Sequence, residues 1–141
     1  MEHLGQTFRF PKKEKLTGKK SIEELFKRGS SFYLYPLLVK YRHNPQSDAD
    51  CHQALFSVSK RHFKRAVDRN LLKRRMREAY RLNKHLISNN PPFYHIAFVY
   101  LDKTILPYER IEEKLKVLLL RLQNQQTKTG DKKKESKSPK Q

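Results

Sequence analysis

The sequence is short of four things: cysteine, glycine, acidic residues and long apolar runs. A single cysteine, Cys51, excludes a disulfide framework and fits a reducing cytosol. Only four glycines are present, and none belongs to a loop of the kind that cradles phosphate. Apolar runs such as Val117–Leu120 are far shorter than the roughly 20 residues of a membrane span. The first residues also lack the apolar segment of a secretory signal, so we expect a cytoplasmic protein without a membrane partner.

The shortage of acidic residues leaves a large positive charge. Thirty-two Lys and Arg stand against fourteen Asp and Glu, a formal net charge of +18. A field of this sign attracts polyanions and makes their binding salt-dependent. Nucleic acid is therefore the first candidate partner. An acidic membrane surface is the second, and the absence of any membrane-seeking segment argues against it.

The apolar pattern predicts one α+β domain: a small four-stranded sheet packed with three helices, in the order α-β-β-β-α-β-α. A first helix is expected from Ser21, which has capping-box spacing to Glu24, up to Gly29, which offers a left-handed stop. The other predicted elements are strands at Ser30–Tyr35, Leu37–Arg42, Gln53–Ser59 and Tyr94–Leu101, a long helix from about Arg65 to Ile87, and a last helix from near Pro107 with an apolar stripe of Ile111, Leu115, Leu118 and Leu122.

Composition also divides the chain. Residues 1–20 predict an extended basic segment, residues 21–124 the folded domain, and residues 125–141 a disordered basic tail. From Thr127 onward the tail is mostly Gln, Lys, Thr and Ser, which cannot bury enough apolar surface to form a packed structure.

The positive charge is concentrated in Ser57–Arg81, "SVSKRHFKRAVDRNLLKRRMREAYR", where ten Lys and Arg accompany only Asp68 and Glu78. Successive side chains on a helix rotate by about 100°, which brings Arg74, Arg77 and Arg81 within about 40° of Asn70. Lys73 falls beside them. The opposite side of the predicted helix carries Leu72, Met76, Ala79 and Leu86. The helix should therefore have one basic face and one apolar face.

A solvated helix face usually mixes charges of both signs, so that neighbours three and four residues apart attract each other. On this face they repel, and a bound polyanion would offset the cost. Arginine predominates, and its planar guanidinium suits phosphate oxygens and stacks on bases. The alternative interpretation is an amphipathic helix that is merely solvated.

Aromatic residues near the predicted strands favour RNA over DNA. Helices that read DNA usually belong to helical folds, whereas aromatics on a sheet beside basic residues suit single-stranded nucleic acid. Each of these aromatics could instead serve the core. They are Phe26, Phe32, Tyr33, Tyr35, Tyr41 and Phe56.

The charged stretch resembles the signature segment of the bacterial ribonuclease P protein subunit, in which Ser-Val-Ser-Lys is followed by Ala-Val, Arg-Asn, Lys-Arg and Arg-Glu-Ala. Upstream, "FPKKEKLTGKKSIEELFKRG" is similar to the family's opening and first helix. Downstream, "YHIAFVYLDKTILPYERIEEKLKVLLLRL" is similar to its last strand and helix, so the likeness covers about residues 8–123. This chain departs from the pattern at Leu71, where the family's Arg-Asn-Arg has its second arginine, at Leu55, where a glycine is frequent, and at Ile22, where a second aromatic is common.

The resemblance implies an α-β sandwich with a left-handed crossover through the basic helix. It also implies a subunit of an RNA-based endoribonuclease, monomeric within the particle, that binds the catalytic RNA and the 5′ leader of precursor tRNA and assists removal of the leader. Catalysis would come from the RNA and from Mg²⁺ held mainly by that RNA, with no catalytic residue in this chain. The implied RNA-binding residues are Lys60, Arg61, Arg69, Asn70, Lys73, Arg74 and Arg77, and the helix geometry adds Arg81. The implied leader groove, between the first helix and the sheet, has Phe26, Lys27, Phe56 and Val58.

Other chemistry has little support in the sequence. The six histidines are scattered, without a partner at metal-ligand spacing, and Asp48–His52 is better explained as a polar hairpin loop than as a metal loop. His62 beside the basic stretch has no evident partner for acid–base catalysis. A second hypothesis therefore stays open: a non-enzymatic RNA-binding protein, such as a ribosomal protein or an RNA chaperone.

Overall fold

The computed structural model describes residues 10–46 and 48–135. It contains the predicted elements in the predicted order, with a short 3₁₀ turn at Lys12–Glu14 and another at Lys84–Leu86. The helices are α1 (Lys19–Arg28), α2 (Ala66–Asn83) and α3 (Tyr108–Glu135), and the strands are β1 (Ser30–Leu34), β2 (Leu37–His43), β3 (Gln53–Val58) and β4 (Tyr94–Tyr100). None of the described helices is long and apolar enough to cross a membrane.

The four strands form one mixed sheet in the order β1-β2-β4-β3. β1 pairs with β2 and β2 with β4 in antiparallel fashion, whereas β3 and β4 are parallel. Parallel neighbours need a long connection, and α2 lies within it. The α+β class is thus confirmed, while the left-handedness of the crossover stays a prediction.

The two faces of the sheet are covered unequally. Side chains alternate between the faces along each strand, and one face carries the main core, to which α2 and α3 contribute Leu72, Met76, Leu115 and Leu118. The opposite face has a small cluster in which Leu25 of α1 packs against Ala97. Because α1 is short and packs on the central strands β2 and β4, much of this second face stays open.

The ends of α1 differ from the prediction. The helix begins two residues before Ser21, after Gly18 with a φ of 99°, and no side chain caps it. Lys19 and Lys20 are good helix formers, so they extend the helix across the expected capping box. Gly29 does end the helix, but in an extended conformation with a φ of −75°. A glycine fits there because a Cβ would lie 2.5 Å from the Leu25 carbonyl oxygen.

The last two helices also end differently from the prediction. α2 stops at Asn83, whose Nδ2 donates to the Ala79 carbonyl at 2.8 Å and to Glu112 at 2.9 Å. α3 continues to Glu135, past the expected end near Gln123, and the Gln, Lys and Glu residues of this stretch are compatible with a helix. The part of the predicted disordered tail at 136–141 lies outside the described residues, and the domain boundaries stay a prediction.

The basic segment before α1 lies along the edge strand β3. The Leu16 N–H donates to the Ala54 carbonyl at 2.9 Å, and the Phe10 ring meets Phe56 and Tyr80 edge-on at 5.8 and 5.7 Å. A half-buried ion pair joins Lys84 to Glu14 at 2.7 Å. This segment therefore covers an edge that would otherwise expose unpaired backbone groups.

Candidate nucleic-acid interface

Helix α2 has the two faces that its sequence predicts. Leu72, Met76 and Ala79 are completely buried, together with Tyr80. Asn70, Arg74 and Arg77 are exposed on the opposite side, and Lys73 is half-buried next to them. Among the described residues, no ion pair involves Arg74 or Arg77. We call Asn70, Lys73, Arg74 and Arg77 the basic face of α2.

Arg81, which was predicted on the same side of α2, forms an ion pair within the protein. Its Nε donates to Glu78 Oε1 at 3.2 Å and its Nη2 to Oε2 at 2.5 Å, so the pair carries no net charge. The Arg81 guanidinium lowers the pKa of the Glu78 carboxyl, which keeps that carboxylate ionised. Helix geometry places Arg81 on the same side of α2 as Arg74 and Arg77. It does not show that the carboxylate of Glu78, three residues earlier, reaches the Arg81 guanidinium.

Two further arginines of α2 hold the protein's own backbone. Arg69 Nη1 donates to the carbonyls of Phe63 and Lys64 at 2.8 and 3.0 Å, which ties the loop before α2 to its first turn. Arg75 Nη1 donates to the Leu106 carbonyl at 2.7 Å. Arg69, predicted as an RNA contact, therefore has at least a structural role.

A shallow hollow opens on the outer side of α2. Its lining combines two apolar side chains with the polar end of the basic face: Val67, Asn70, Leu71, Arg74 and Arg77. The combination of methyl groups and unpaired guanidinium groups distinguishes this hollow from the rest of the helix surface.

Lys60 and Arg61 follow the end of β3 and are both exposed. The turn that carries them is fixed because the Arg61 N–H donates to Ser59 Oγ at 3.0 Å and the Phe63 N–H to the Ser59 carbonyl at 3.1 Å. The structure thus presents these two predicted cations to solvent at one end of the sheet.

Two of the four predicted leader-groove residues lie on the wrong face of the sheet. Phe56 stacks on Phe98 with ring centroids 5.6 Å apart, and Val58 is buried in the same core under α2. The groove was expected between α1 and the sheet, which is the other face. Because successive strand residues point to opposite faces, the residue of β3 that packs with the α1 cluster is Leu55.

The open part of the α1 face has one row of side chains that crosses all four strands. Strand register places Tyr33 opposite Leu38, Leu38 opposite Val99, and Val99 opposite Ser57. Tyr33 is 55% exposed and the other three are half-buried. We call Tyr33, Leu38, Val99 and Ser57 the sheet row.

The two predicted groove residues of α1 stand at the end of that helix. Phe26 is 39% exposed and Lys27 is exposed. Lys40 of β2 donates from Nζ to the Phe26 carbonyl at 3.3 Å, which joins the end of α1 to the α1 face of the sheet. The Phe26 ring and the Lys27 cation therefore border the open face that carries the sheet row.

The described histidines and carboxylates form no metal-binding cluster. Across residues 10–46 and 48–135 there is no group of three or more His, Cys, Asp or Glu that could hold a metal ion. His52, the histidine of the Asp48–His52 loop, is buried and holds backbone groups: its Nδ1 accepts the Tyr94 N–H at 3.0 Å and its Nε2 is 2.8 Å from the Ser88 carbonyl oxygen.

Comparison with known proteins identifies the family of this chain. A family model described as Ribonuclease P covers residues 10–123 of the chain. The chain belongs to the ribonuclease P protein family. Its similarity to the ribonuclease P protein component of Porphyromonas gingivalis is 37% identity over 120 residues, covering 82% of this chain and 88% of that protein. The corresponding component of Chlorobaculum tepidum is 32% identical and covers 89% of this chain and 92% of its own length.

Solved structures of the family share the fold. The ribonuclease P protein from Thermotoga maritima superposes with a TM-score of 0.64 at 28% identity, covering 77% of this chain and 96% of that one. The Staphylococcus aureus protein gives 0.63 at 22% identity over the same share of this chain and 94% of its own. As a ribonuclease P protein, the chain has a role in tRNA processing as part of an endoribonuclease with an RNA partner.

Residues of the candidate interface that sequence reasoning missed are Val67, Leu71 and the sheet row. Tyr33 was singled out only as one of many aromatics, and Leu71 only as a departure from the family pattern. Strand alternation relative to Leu55 could have identified the sheet row, provided that the face under α1 was known in advance.

Proposed function

We propose that this chain is the protein subunit of a ribonuclease P ribonucleoprotein that binds the catalytic RNA and the 5′ leader of precursor tRNA. In this role it assists the endonucleolytic removal of the leader that gives the mature 5′ end. Family membership supports the assembly, and the unpaired arginines on the basic face of α2 carry the proposal of RNA binding.

The basic face suits an RNA backbone for an electrostatic reason. Arg74 and Arg77 are exposed, and the described carboxylates form no ion pair with either. In a chain of net charge +18, a polyanion that contacts them gains charge-assisted hydrogen bonds and releases its own counterions. Lys73 adds a third cation, and Lys60 and Arg61 add two more at the end of β3.

The leader would lie on the open face beside α1. Phe26 and Tyr33 offer rings on which unpaired bases can stack, and Lys27 offers a cation for the backbone. Leu38 and Val99 give the floor between them an apolar surface. With these residues, the leader groove proposed here keeps Phe26 and Lys27 and replaces Phe56 and Val58 by the sheet row.

The chemical step is assigned to the RNA and to Mg²⁺ that the RNA holds. The described His, Cys, Asp and Glu do not fit a Mg²⁺ site of their own. The protein's contribution would be affinity and positioning. We propose further that it acts as a monomer within the particle and in the cytoplasm.

A reconstituted cleavage assay tests this function. The protein is mixed with a bacterial ribonuclease P RNA and a precursor tRNA at low Mg²⁺, and the rate of leader removal is compared with that of the RNA alone. We expect the protein to raise the rate or the affinity for substrate. If it binds the RNA but changes neither, it is a non-enzymatic RNA-binding protein and the proposal is wrong.

A further inference from the structure

The hollow on α2 is more than a cationic surface. Val67 is 65% exposed, the largest exposed fraction among the large hydrophobic side chains that the structure describes. Leu71, one turn later, is half-buried in the same lining. Residues four apart on a helix are neighbours, so the two side chains form one small apolar patch.

This patch lies directly beside the unpaired cations. Leu71 and Arg74 are three residues apart, as are Arg74 and Arg77, and Asn70 lies next to the same turn. Along the helix, the hollow therefore has methyl groups toward its N-terminal end and two guanidinium groups toward its C-terminal end, with the Asn70 carboxamide beside them.

Phosphate alone would use only part of this surface. Guanidinium groups bind phosphate oxygens, but a phosphate gains nothing from methyl groups and would leave the apolar patch in water. An unpaired nucleotide matches both halves, since its base has an apolar face and its flanking phosphates are anionic. The Asn70 carboxamide has donors and an acceptor that suit the polar edge of a base.

We propose that the hollow binds one unpaired nucleotide of an RNA partner, with its base against Val67 and Leu71 and its neighbouring phosphates on Arg74 and Arg77. The inference rests on the proposed function, because it assumes that the basic face of α2 meets RNA. It adds a nucleobase site to that face. Helical RNA could not fill this site, because its bases are stacked on one another.

The chain offers a matched pair of variants for a test. The double substitution Val67→Ala and Leu71→Ala removes the patch, and Val117→Ala with Leu120→Ala removes the same two residue types from exposed positions of α3. Alanine is a better helix former than either residue, so both proteins should fold, which circular dichroism verifies.

The affinity of each variant for a bacterial ribonuclease P RNA is measured over a series of salt concentrations. We expect the Val67/Leu71 variant to bind about fivefold to tenfold more weakly at every salt concentration, with the wild-type slope, because it loses apolar burial and no charge. The Val117/Leu120 variant should stay within about twofold of wild type. Equal affinities of the two variants, or a reduced salt slope for the first, would overturn the inference.

A second measurement asks whether a base is the ligand. Methyl NMR signals of Val67 and Leu71 are followed while the full chain is titrated with a short single-stranded RNA or with an abasic strand of the same length and charge. We expect the methyl signals to shift with the RNA and not with the abasic strand. Equal shifts, or no shift with either strand, would overturn the nucleobase site.

The two proposals fail in distinguishable ways. If the wild-type protein does not stimulate leader removal, the proposed function is wrong whatever occupies the hollow. If it does stimulate removal and the Val67/Leu71 variant binds the RNA as wild type does, only the nucleobase site is wrong.

Discussion

At the scale of single residues, the arginines of α2 have three different situations. Arg69 and Arg75 donate to backbone carbonyls of neighbouring loops, Arg81 pairs with Glu78, and Arg74 and Arg77 face solvent. Among the arginines of α2, Arg74 and Arg77 therefore have a positive charge that no described group of the protein offsets or engages. We expect the contribution of each arginine to RNA binding to depend on its contacts within the protein and not on its residue type.

Arg77→Ala and Arg81→Ala test this difference with the same substitution one turn apart. We expect Arg77→Ala to weaken RNA binding and to reduce the magnitude of the salt slope by about 0.7 to 0.9, the loss of one phosphate contact. Arg81→Ala should change the slope much less, because its charge is already balanced by Glu78. Salt-dependent binding to a ribonuclease P RNA measures both, and equal slopes for the two variants would contradict the prediction.

His52 gives the fold a dependence on pH. Burial lowers the pKa of its imidazole below the ordinary value of 6.5, although the Ser88 carbonyl and Glu14 act in the opposite direction. The neutral ring is required because Nδ1 accepts the Tyr94 N–H. Protonation would abolish that hydrogen bond, so the native state favours the neutral ring more than the unfolded chain does.

We therefore expect the free energy of unfolding to be highest above pH 6.5 and to fall as the pH drops below that value toward the lower pKa of the folded state. Chemical denaturation at several pH values measures this decline. His52→Gln should be less stable at neutral pH and should decline less below it. Burial also lowers the pKa of His95, so His95 would account for the decline in stability that remains in the variant. An unchanged decline in the variant would contradict the role of His52.

At the scale of elements, the segment before α1 acts as a cover for β3. Phe10 places its ring against Phe56 and Tyr80, Leu16 bonds to Ala54, and Glu14 pairs with Lys84. These contacts connect three separate elements through a segment with no regular structure beyond one 3₁₀ turn. The sequence indicated only an extended basic stretch there.

Phe10→Ala should destabilise the fold by about 2 kcal/mol, less than the cost of a fully buried phenylalanine because the ring is only partly buried. Phe26→Ala provides the control: its ring is 39% exposed, so we expect a change within about 0.5 kcal/mol. Urea denaturation measures both. A loss for Phe10→Ala as small as that for Phe26→Ala would show that the segment before α1 does not contribute to the core.

At the scale of the whole molecule, the two surfaces proposed for RNA belong to different layers. The basic face of α2 lies outside the helical layer, whereas the sheet row lies on the opposite side of the sheet, beside α1. This arrangement would let the proposed catalytic RNA bind on one side of the molecule and the proposed leader on the other. Binding of the leader should then depend on the sheet row and leave assembly with the RNA unaffected.

Lengthening the 5′ leader of a precursor tRNA from one nucleotide to several should therefore tighten binding only when the protein is present. Tyr33→Ala should remove most of that gain, because an exposed ring on the sheet row is lost, while Tyr33→Phe should keep it. Substrate affinities of the reconstituted particle measure this. A gain that persists in Tyr33→Ala would show that the leader lies elsewhere.

The order of the elements and the two faces of α2 could be predicted from patterns in the sequence. Periods of two and of 3.6 residues are local properties, and so the apolar sides of α2 and α3 followed from spacing alone. The charge of the basic face followed from composition. The resemblance to the ribonuclease P protein family also lies in a contiguous segment of the sequence, so it can be recognised without knowledge of tertiary contacts.

Which of the predicted site residues are available to a partner depends on tertiary contacts. Alternation along β3 separates Phe56 from Leu55, but it does not say which side α1 covers. For that reason two residues of the predicted groove, Phe56 and Val58, lie on the face opposite α1. Whether Arg81 is neutralised, or whether Arg69 holds a loop, depends on side-chain reach and on where a loop returns in space. Availability is a property of packing between distant parts of the chain, which the spacing of residues within one segment does not encode.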